Sequence, residues 1–488
     1  MIRHRFFDAD EFEHTHAAWC VFRGMLPYKD FFEHHTPWYY YALRPFFHWF
    51  DVATSVESAR HFLLFGRALS LALAILSTFA LSQIGRLWEH REVGILAGLF
   101  LVSQPVFFRK AIEMRPDVLA LPCFLGCLWL LLREITRRTV GATNGLRCMF
   151  GAGLSLGAAI MCTQKMLFVV PGALAGVVLW SLSDGTARES LEGFHPGGTV
   201  GIRTRMLRPL TFIVGICVPT ALTWAAFARH HAGDTFIKNN FLLNAKWKHI
   251  ETHQLGWLIH TSWPILALSL LGVSAALWNI FRFRGRPYGG LLLIFTLLGL
   301  MGGSLFIPSA YSQYYLMPLP LICLFAAKGL LLVLEGAPRR TRPGLLMLTL
   351  IALGVLPGLT LRESFGLNND GQIARLRYVF ENTRPGDIVM DGWQGLGVFR
   401  PHAFYYFFLH PETVAMLPTA QLDAYLNDLE RRRIRPRLIA MDRNLRALGT
   451  RFERFVHRNY LSKDGFFYFP IGSPQPHQGG PLHVGRGF

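Results

Sequence analysis

The stretch FLLFGRALSLALAILSTFALSQIG, residues 62–85, is an apolar run interrupted by one charge, Arg67. A bilayer core of about 30 Å needs about 20 such residues in one helix. The run is therefore long enough to cross a membrane. It is the first of about ten: 62–85, 93–108, 117–132, 148–163, 166–182, 209–228, 257–281, 288–307, 313–334 and 344–361.

The composition agrees with this pattern. The 488 residues are 51% hydrophobic and 16% charged, and the mean hydropathy is +0.29. An average soluble protein is about 25% charged. The composition therefore argues against a water-soluble enzyme and predicts a polytopic α-helical membrane protein. The seven cysteines are too few for a disulfide scaffold, and we interpret them as packing residues.

The net charge of +18 would by itself suggest a nucleic-acid partner, but its distribution indicates membrane topology instead. Sixteen basic residues fall in one set of alternating loops and eight in the other. The richer set contains Arg86, Arg91, Arg133, Arg137, Arg138, Arg147, Arg188, Arg203, Arg205, Arg208, Arg282, Arg284, Arg286, Arg339, Arg340 and Arg342; the poorer set contains Arg109, Lys110, Arg115, Lys165, Arg229, Lys238, Lys246 and Lys248. The positive-inside rule places the richer set in the cytoplasm and both flanking segments outside. No nucleic-acid partner is then needed to explain the charge.

The chain divides into four parts. Residues 1–61 form an outer segment with an acidic motif and amphipathic helices, and 62–361 form the transmembrane domain. Residues 362–475 form a small soluble α/β domain, because DIVMDGW, RLIAMDR and FFYFPIG have strand patterns and PTAQLDAYLNDLERRR has helical spacing after a Thr that could cap it. The Pro/Gly-rich tail 476–488 is expected to be disordered.

An outer N-terminal segment normally requires an upstream span or a signal sequence, and the first residues, MIRHRFFDADEFEH, are neither. We favour a further upstream helix over translocation of the segment by the helix that follows it.

The first polar cluster is FFDADEFEHTHAAW, residues 6–19. Its apolar positions suggest a short amphipathic helix on the membrane surface, in which Asp10, Glu13 and His14 share one face. A carboxylate there could act as a general base. Two alternatives stay open: a solvated acidic face, or a zinc or manganese site built from Glu13, His14 and His16, although the spacing matches no specific signature.

Four further clusters carry polar groups near the ends of the spans. YKDFFEHHTPWYYYALRPFF is either an interfacial aromatic belt or a site that grips a phosphate or sugar. RKAIEMRPDVLAL places cations in an outer loop before Asp117, which could simply cap a helix. Lys165 lies alone between two apolar runs, as either a functional charge or a snorkelling one. FIPSAYSQYYLMPLP opens a span with tyrosines, including Tyr314, that could form a belt.

The order of these motifs resembles the GT-C superfamily of membrane glycosyltransferases. An acidic pair is followed by Gly-x-x-Pro-Tyr-x-Asp, then by RPD, Thr-x-Lys and YYLMPLPL. Within the superfamily the chain is similar to the family 39 group, the protein O-mannosyltransferases and lipid A aminoarabinose transferases. The similarity runs from about residue 8 to 361, and residues 362–488 resemble the outer domain of such enzymes more vaguely.

The resemblance implies a hexosyl or pentosyl transferase of the cell envelope. It would move a sugar, with inversion, from a polyprenyl-phosphate donor to a lipid, glycan or protein acceptor, in the bacterial inner membrane with its site facing the periplasm. Asp10 falls where the family has its acceptor-activating carboxylate, and Asp8 and Glu11 are close competitors. The resemblance assigns contacts with the donor phosphate to five residues: Lys165, Arg115, Asp117, His35 and Tyr314. Two of these positions differ from the family, since His35 replaces a Lys and Tyr314 replaces an Arg.

Protein side chains alone can supply the groups that an inverting sugar transfer requires. An inverting transfer is a single displacement, in which a base takes the acceptor proton and a cation stabilises the departing phosphate. A divalent metal is compatible with this reaction but not required, because cationic side chains can stabilise the phosphate. Two other functions remain open: a transporter or flippase of lipid-linked sugars, which would more often show inverted repeats, and a non-catalytic relative.

Overall fold

A computed structural model of the chain describes residues 2–136, 142–183, 202–244, 254–282, 287–306, 311–366, 368–462 and 464–473. Some positions named above lie outside the described residues: Arg137, Arg138, Arg188, Lys246, Lys248, Arg284, Arg286 and the tail 476–488.

Helices dominate the described structure. In chain order they are α1 (Ala9–Phe22), α2 (Trp38–Leu43), α3 (Val56–Trp88), α4 (Arg91–Ser103), α5 (Pro105–Lys110), α6 (Pro116–Thr136), α7 (Ala142–Cys162), α8 (Val169–Ser183), α9 (Ile202–Ala228), α10 (Gly233–Ile237), α11 (Gln254–Phe281), α12 (Pro287–Phe306), α13 (Leu319–Gly336), α14 (Arg342–Gly366), α15 (Asp370–Asn382), α16 (Pro411–Met416), α17 (Thr419–Glu430), α18 (Arg443–Arg446) and α19 (Thr450–Asn459). Short 3₁₀ turns lie at Arg44–Trp49, Gln164–Phe168 and Ser312–Leu316, and a π-helical turn lies at Lys238–Leu243.

Over the described residues the ten predicted apolar runs are mostly helical, but eight helices there are long and apolar enough to cross a membrane. They are α3, α6, α7, α8 with its preceding 3₁₀ turn, α9, α11, α12 and α13. The predicted span 93–108 is broken, because the residue before a proline is steered out of the helical region and Pro105 follows an extended Gln104. The last run, 344–361, qualifies only as a shorter apolar helix, Arg342–Val355.

Small residues allow the spans to pack closely. A Cβ added at Gly272 on α11 would collide with the Phe325 carbonyl, and one added at Gly329 on α13 would collide with the Leu268 carbonyl. The two glycines thus let the backbones of α11 and α13 approach each other, as small residues do between membrane helices. This contact supports α13, whose N-terminus follows the turn that carries Tyr314.

Helix α1 begins where the acidic motif predicts a helix, but its position differs from the prediction. Asp8 is the N-cap, and a reciprocal capping box links it to Glu11. An amphipathic surface helix would expose one face. Instead every residue from Glu11 to Val21 is buried. The helix has no solvated face over this stretch because α3 lies on one side and the chain around Val398 and His402 lies on the other.

A four-stranded sheet lies in the C-terminal part of the chain, with the order β1-β2-β4-β3. The strands are β1 (Val389–Asp391), β2 (Leu438–Ala440), β3 (Tyr460–Ser462) and β4 (Phe467–Pro470). β1 and β2 are parallel, with Val389 opposite Leu438, and the other two pairings are antiparallel. The three predicted strands are confirmed, whereas β3 was not predicted. Thr419 is the first residue of α17 and not its cap, since Pro418 occupies the N-cap position.

Backbone contacts tie the sheet region to the N-terminal segment. The Phe32 amide donates to the Tyr405 carbonyl at 2.8 Å, and the Tyr405 hydroxyl donates to the Tyr28 carbonyl at 3.0 Å. The buried Arg400 guanidinium donates to the Ala53 carbonyl at 2.8 Å. The loop after β1 is therefore fixed over the N-terminal segment.

Candidate active site

The starts of several helices surround one polar cavity of about 390 Å³. Its lining contains Asp10, Glu13, His14, His34, His35, Arg115, Asp117, Gln164, Lys165, Leu167, Phe168, Asn240, Phe241, Asn244, Tyr311, Gln313, Tyr314, Phe408 and His410. The N-terminal segment, the start of α6, the turn before α8, the turn before α13 and the loop before α16 all contribute. The cavity brings together six of the eight residues that the sequence predicted: Asp10, Arg115, Asp117, Lys165, His35 and Tyr314.

Asp10 lies in the first turn of α1 and faces the cavity. Arg115 Nη1 donates to Asp10 Oδ2 at 2.6 Å. The Asp10 side chain keeps 21% of its surface exposed, whereas that of Arg115 keeps 3%. The carboxylate is thus held from behind by a buried cation, while part of it stays open to the cavity.

Arg115 serves three carboxylates. Besides Asp10 it contacts Asp8 at 3.0 Å and Glu113 at 2.5 Å. Burial alone would lower the pKa of the guanidinium, but the charges of Glu113, Asp10 and Asp8 outweigh it and raise the pKa well above its ordinary value. Arg115 was predicted to contact the donor phosphate. Its geometry differs from that expectation, because these acids already take up much of its hydrogen-bonding capacity.

Asp8 and Glu11, the competitors of Asp10, lie outside the cavity lining. The Glu11 carboxylate receives two hydrogen bonds from Arg67, at 2.8 and 2.5 Å, in the buried contact between α1 and α3. Lys110 Nζ donates to Asp8 at 2.9 Å. Burial would raise the pKa of Asp8, but the charges of Arg115 and Lys110 hold it well below its usual range. Both carboxylates are therefore engaged in ion pairs that position the start of α1.

Lys165 lies on another wall of the cavity. Its ammonium contacts both oxygens of Asp117, at 3.0 and 3.2 Å. It also lies over the Tyr314 ring, 4.1 Å from the centroid. Such an arrangement is a cation–π contact. Burial raises the pKa of the Tyr314 hydroxyl, so Tyr314 stays neutral beside the cation.

A second group of acids and imidazoles lies at the same cavity. Glu13, Glu33, His34 and His35 each offer a ligand atom, and these atoms lie within 4.8 Å of one another. Glu33 Oε1 accepts from the His34 and His35 amides and contacts His35 Nδ1, each at 2.9 Å. Glu33 Oε2 is buried and has no hydrogen-bond partner among the described residues.

These four side chains fit a divalent cation. Carboxylate and imidazole donors suit zinc or manganese, and a buried carboxylate oxygen without a partner is a position that a cation would satisfy. Burial, with Glu33 and Asp10 nearby, raises the pKa of Glu13 well above its ordinary value. Burial lowers the pKa of His34, so that its imidazole is neutral. The sequence had proposed a metal site from Glu13, His14 and His16; the described structure instead groups Glu13 with Glu33, His34 and His35.

Residues that the sequence did not single out complete the cavity. Asn244 and Gln164 both donate to the His34 carbonyl, at 2.8 and 3.0 Å, and so fix the loop that carries the two histidines. His410 pairs with Glu412, which also accepts from the Tyr311 hydroxyl. Burial lowers the pKa of His410 to about 4. Gln164 lies within the Thr-x-Lys motif and Tyr311 within FIPSAYSQYYLMPLP, whereas Asn244 and His410 lie in no motif that the sequence pattern singles out.

Comparisons with known proteins agree with this architecture. The family model described as dolichyl-phosphate-mannose-protein mannosyltransferase matches residues 35–200. No curated protein matches the sequence significantly.

Several solved structures share the fold. ArnT from Cupriavidus metallidurans bound to undecaprenyl phosphate has a TM-score of 0.63 at 11% identity, covering 97% of this chain and 96% of that chain. The Archaeoglobus fulgidus oligosaccharyltransferase AglB, in complex with an inhibitory peptide and a dolichol-phosphate, has a TM-score of 0.57 at 12% identity, covering 96% and 71%. The Archaeoglobus fulgidus oligosaccharyltransferase with Zn and sulfate has a TM-score of 0.51 at 12% identity, covering 81% and 58%.

The chain is thus an integral membrane protein with the fold of the GT-C membrane glycosyltransferases. The resemblance predicted from the order of the motifs is confirmed by both the family model and the fold. Within that fold, the mannosyltransferase family model covers the chain from the His35 loop through the region of Asp117 and Lys165.

Proposed function

We propose that this chain is an inverting glycosyltransferase that moves a hexosyl or pentosyl group from a polyprenyl-phosphate donor to an acceptor. The observation that supports it most strongly is one cavity that holds both the Asp10 carboxylate and the Lys165 ammonium. A single displacement needs a base for the acceptor and a cation for the leaving phosphate. A cavity with both groups on its walls suits that reaction.

Asp10 is the proposed general base. Its Oδ2 is fixed by Arg115 at 2.6 Å, and the carboxylate remains partly exposed to the cavity. An acceptor hydroxyl in the cavity would donate to this carboxylate and lose its proton as its oxygen attacks the anomeric carbon. Arg115 is a positioning residue in this scheme, because it orients the base while three acids occupy it.

Lys165 is the proposed phosphate contact. The Lys165 ammonium is already held in place by Asp117 and by the Tyr314 ring, without any contact to a substrate. A donor phosphate reaching the cavity would compete with Asp117 for the ammonium, and the charge that develops as the glycosidic bond breaks would strengthen that contact. His35, on the loop that Gln164 contacts, also lines the cavity and can donate a further hydrogen bond.

Glu13, Glu33, His34 and His35 would hold a divalent cation if one is bound. Such a cation would supply additional positive charge beside the donor phosphate. Metal dependence is tested by assaying membranes before and after treatment with a chelator.

The solved structures of similar fold support the proposed donor and acceptor classes. ArnT is solved with undecaprenyl phosphate, and AglB is solved with a dolichol-phosphate and a peptide. We propose a polyprenyl-phosphate sugar as donor, a lipid, glycan or protein as acceptor, and a position in the bacterial inner membrane with the cavity facing the periplasm.

The assay uses isolated membranes that contain the protein and a polyprenyl-phosphate sugar labelled in its sugar. We expect the label to leave the lipid and to appear on an acceptor with the opposite anomeric configuration. Label that crosses the membrane while still linked to its lipid would contradict the proposal and support a flippase. Label that stays on the lipid and on its original face would support a non-catalytic relative.

A further inference from the structure

A second cluster of metal-binding side chains lies outside the cavity lining. It consists of His16 and Cys20, one helical turn apart on α1, and His402, which follows β1 in the C-terminal part of the chain. His16 Nε2 lies 2.9 Å from His402 Nδ1. Cys20 Sγ lies 3.5 Å from His16 Nε2 and 3.8 Å from His402 Nδ1. The three donor atoms therefore lie within 3.8 Å of one another.

We propose that His16, Cys20 and His402 bind a zinc ion that joins α1 to the C-terminal part of the chain. One thiolate and two imidazoles are donors typical of zinc. With Zn–N of about 2.0 Å and Zn–S of about 2.3 Å in a tetrahedron, two nitrogens lie about 3.3 Å apart, and a sulfur and a nitrogen lie about 3.5 Å apart. The sulfur–nitrogen distance to His16, 3.5 Å, already matches this spacing, and the distance to His402, 3.8 Å, is slightly longer. The nitrogen pair, which in the absence of metal can share a hydrogen bond, would open by about half an ångström.

The outer contact of His16 is the strongest support for a metal. His16 Nδ1 lies 2.9 Å from the Val398 carbonyl oxygen, and a carbonyl only accepts, so Nδ1 carries the proton. The lone pair of His16 is then on Nε2, which faces the cluster. Histidine ligands to metals typically donate their other N–H to a backbone carbonyl in this way.

The surroundings also suit a zinc site. The His16 ring packs against Phe407, with 4.6 Å between centroids, and the His402 ring packs against Phe31 and Phe407. Cys20 is fully buried, whereas His402 is partly exposed, so that an ion can reach the cluster from solvent past His402. A small cavity of about 40 Å³ adjoins both histidines. It is large enough for one water, which would be the fourth ligand.

Zinc binding exchanges a proton of the protein for the metal ion. The ion replaces the thiol proton of Cys20, which leaves to solvent, and His402 moves its proton from Nδ1 to Nε2. No electron transfer is involved. The site would therefore release one proton for each zinc bound, and its apparent affinity would rise with pH.

The test is a cobalt titration of the purified, chelator-treated full chain. Cobalt occupies tetrahedral zinc sites and gives a thiolate-to-metal charge-transfer band only when sulfur is a ligand. We expect this band to rise to a plateau as cobalt is added and to disappear when zinc is added. The Cys20→Ser variant should lose the band, whereas Cys217→Ser, which removes an exposed thiol, should retain it. Glu33→Gln should also retain it, because the carboxylate cluster at the cavity contains no sulfur.

X-ray absorption at the zinc edge keeps the test independent of the variants' folding. The zinc-loaded wild-type protein should show one sulfur at about 2.3 Å and nitrogen or oxygen ligands at about 2.0 Å. A shell of oxygen and nitrogen alone, or cobalt binding without a charge-transfer band in the wild type, would refute the site. The three side chains would then form only a hydrogen-bonded contact between α1 and the C-terminal part of the chain.

Discussion

Arg115 Nη1 lies 2.6 Å from Asp10 Oδ2 and so fixes the one acid of the DADE motif that lines the cavity. The two residues are far apart in sequence, and they meet where the first turn of α1 abuts the start of α6. The orientation of the carboxylate is therefore set by the packing of these two helices and not by the local motif alone.

The first prediction concerns Asp10. Asp10→Asn keeps the shape of the side chain but removes the base, so transfer of the labelled sugar should fall by about 10²- to 10⁴-fold. Membrane insertion and the amount of protein should not change. The exposed Asp423→Asn is the matched control. Undiminished transfer in Asp10→Asn would contradict the assignment of the base.

The second prediction separates donor binding from chemistry at Lys165. Lys165→Ala removes an ammonium that can make charged hydrogen bonds, each of about 1.5 to 3 kcal/mol. We expect the apparent KM for the polyprenyl-phosphate sugar to rise by about 10- to 100-fold, measured from initial rates over a donor series. Lys238→Ala, which removes an exposed lysine outside the cavity lining, should leave the KM unchanged. A fall in kcat at unchanged KM would instead place Lys165 in the chemical step alone.

The third prediction concerns the stability of α1. Arg67→Met leaves the buried Glu11 carboxylate without its two hydrogen bonds from Arg67, and breaking a buried pair in this way costs about 3 to 5 kcal/mol. The midpoint of thermal unfolding should drop clearly. The Arg67→Met/Glu11→Gln double variant should recover part of the loss, because the unpaired charge is gone. Arg60→Met, on the same helix but 38% exposed, is the control; an equal drop there would argue against a special role of the pair.

The fourth prediction concerns pH. Burial, together with the neighbouring Asp442, raises the pKa of Asp391 to about 6, although three backbone amides oppose the shift. A folded-state pKa above the ordinary value favours the protonated form, so this contribution to stability is complete below about pH 4 and is lost as the pH rises to about 6. Asp391→Asn should remove it. Thermal midpoints of the wild type and the variant, compared from pH 4 to 7, should therefore diverge over this interval, with the wild type losing stability relative to the variant. A constant difference would contradict the shift.

Much of the fold follows from the sequence, because apolar runs are local signals. The ten runs, a helix in the acidic motif and three of the four strands were all visible in the residue pattern. The break at Pro105 was not predicted, although a proline inside a short apolar run is a local signal that the helix can be interrupted. The burial of α1 was also missed, since its apolar positions fit a membrane surface as well as a protein interior.

The cavity was predictable only in part. Asp10, Asp117 and Lys165 were found because motifs in a known order carry them. The choice between Asp10 and Glu11 could not be made from the sequence. Adjacent helical positions point about 100° apart, and only the position of Arg67 shows that Glu11 faces α3 while Asp10 faces the cavity. His410 and Asn244 carry no local signal. They reach the cavity through tertiary contacts between remote segments.

The contribution of Phe408 and His410 to the cavity wall has a consequence for biosynthesis. These residues follow every candidate membrane helix of the described residues, so the wall is incomplete until the sequence beyond residue 410 has left the ribosome. A nascent chain already inserted in the bilayer thus lacks a finished site. A translation product that stops before this point would be anchored in the membrane with an open cavity.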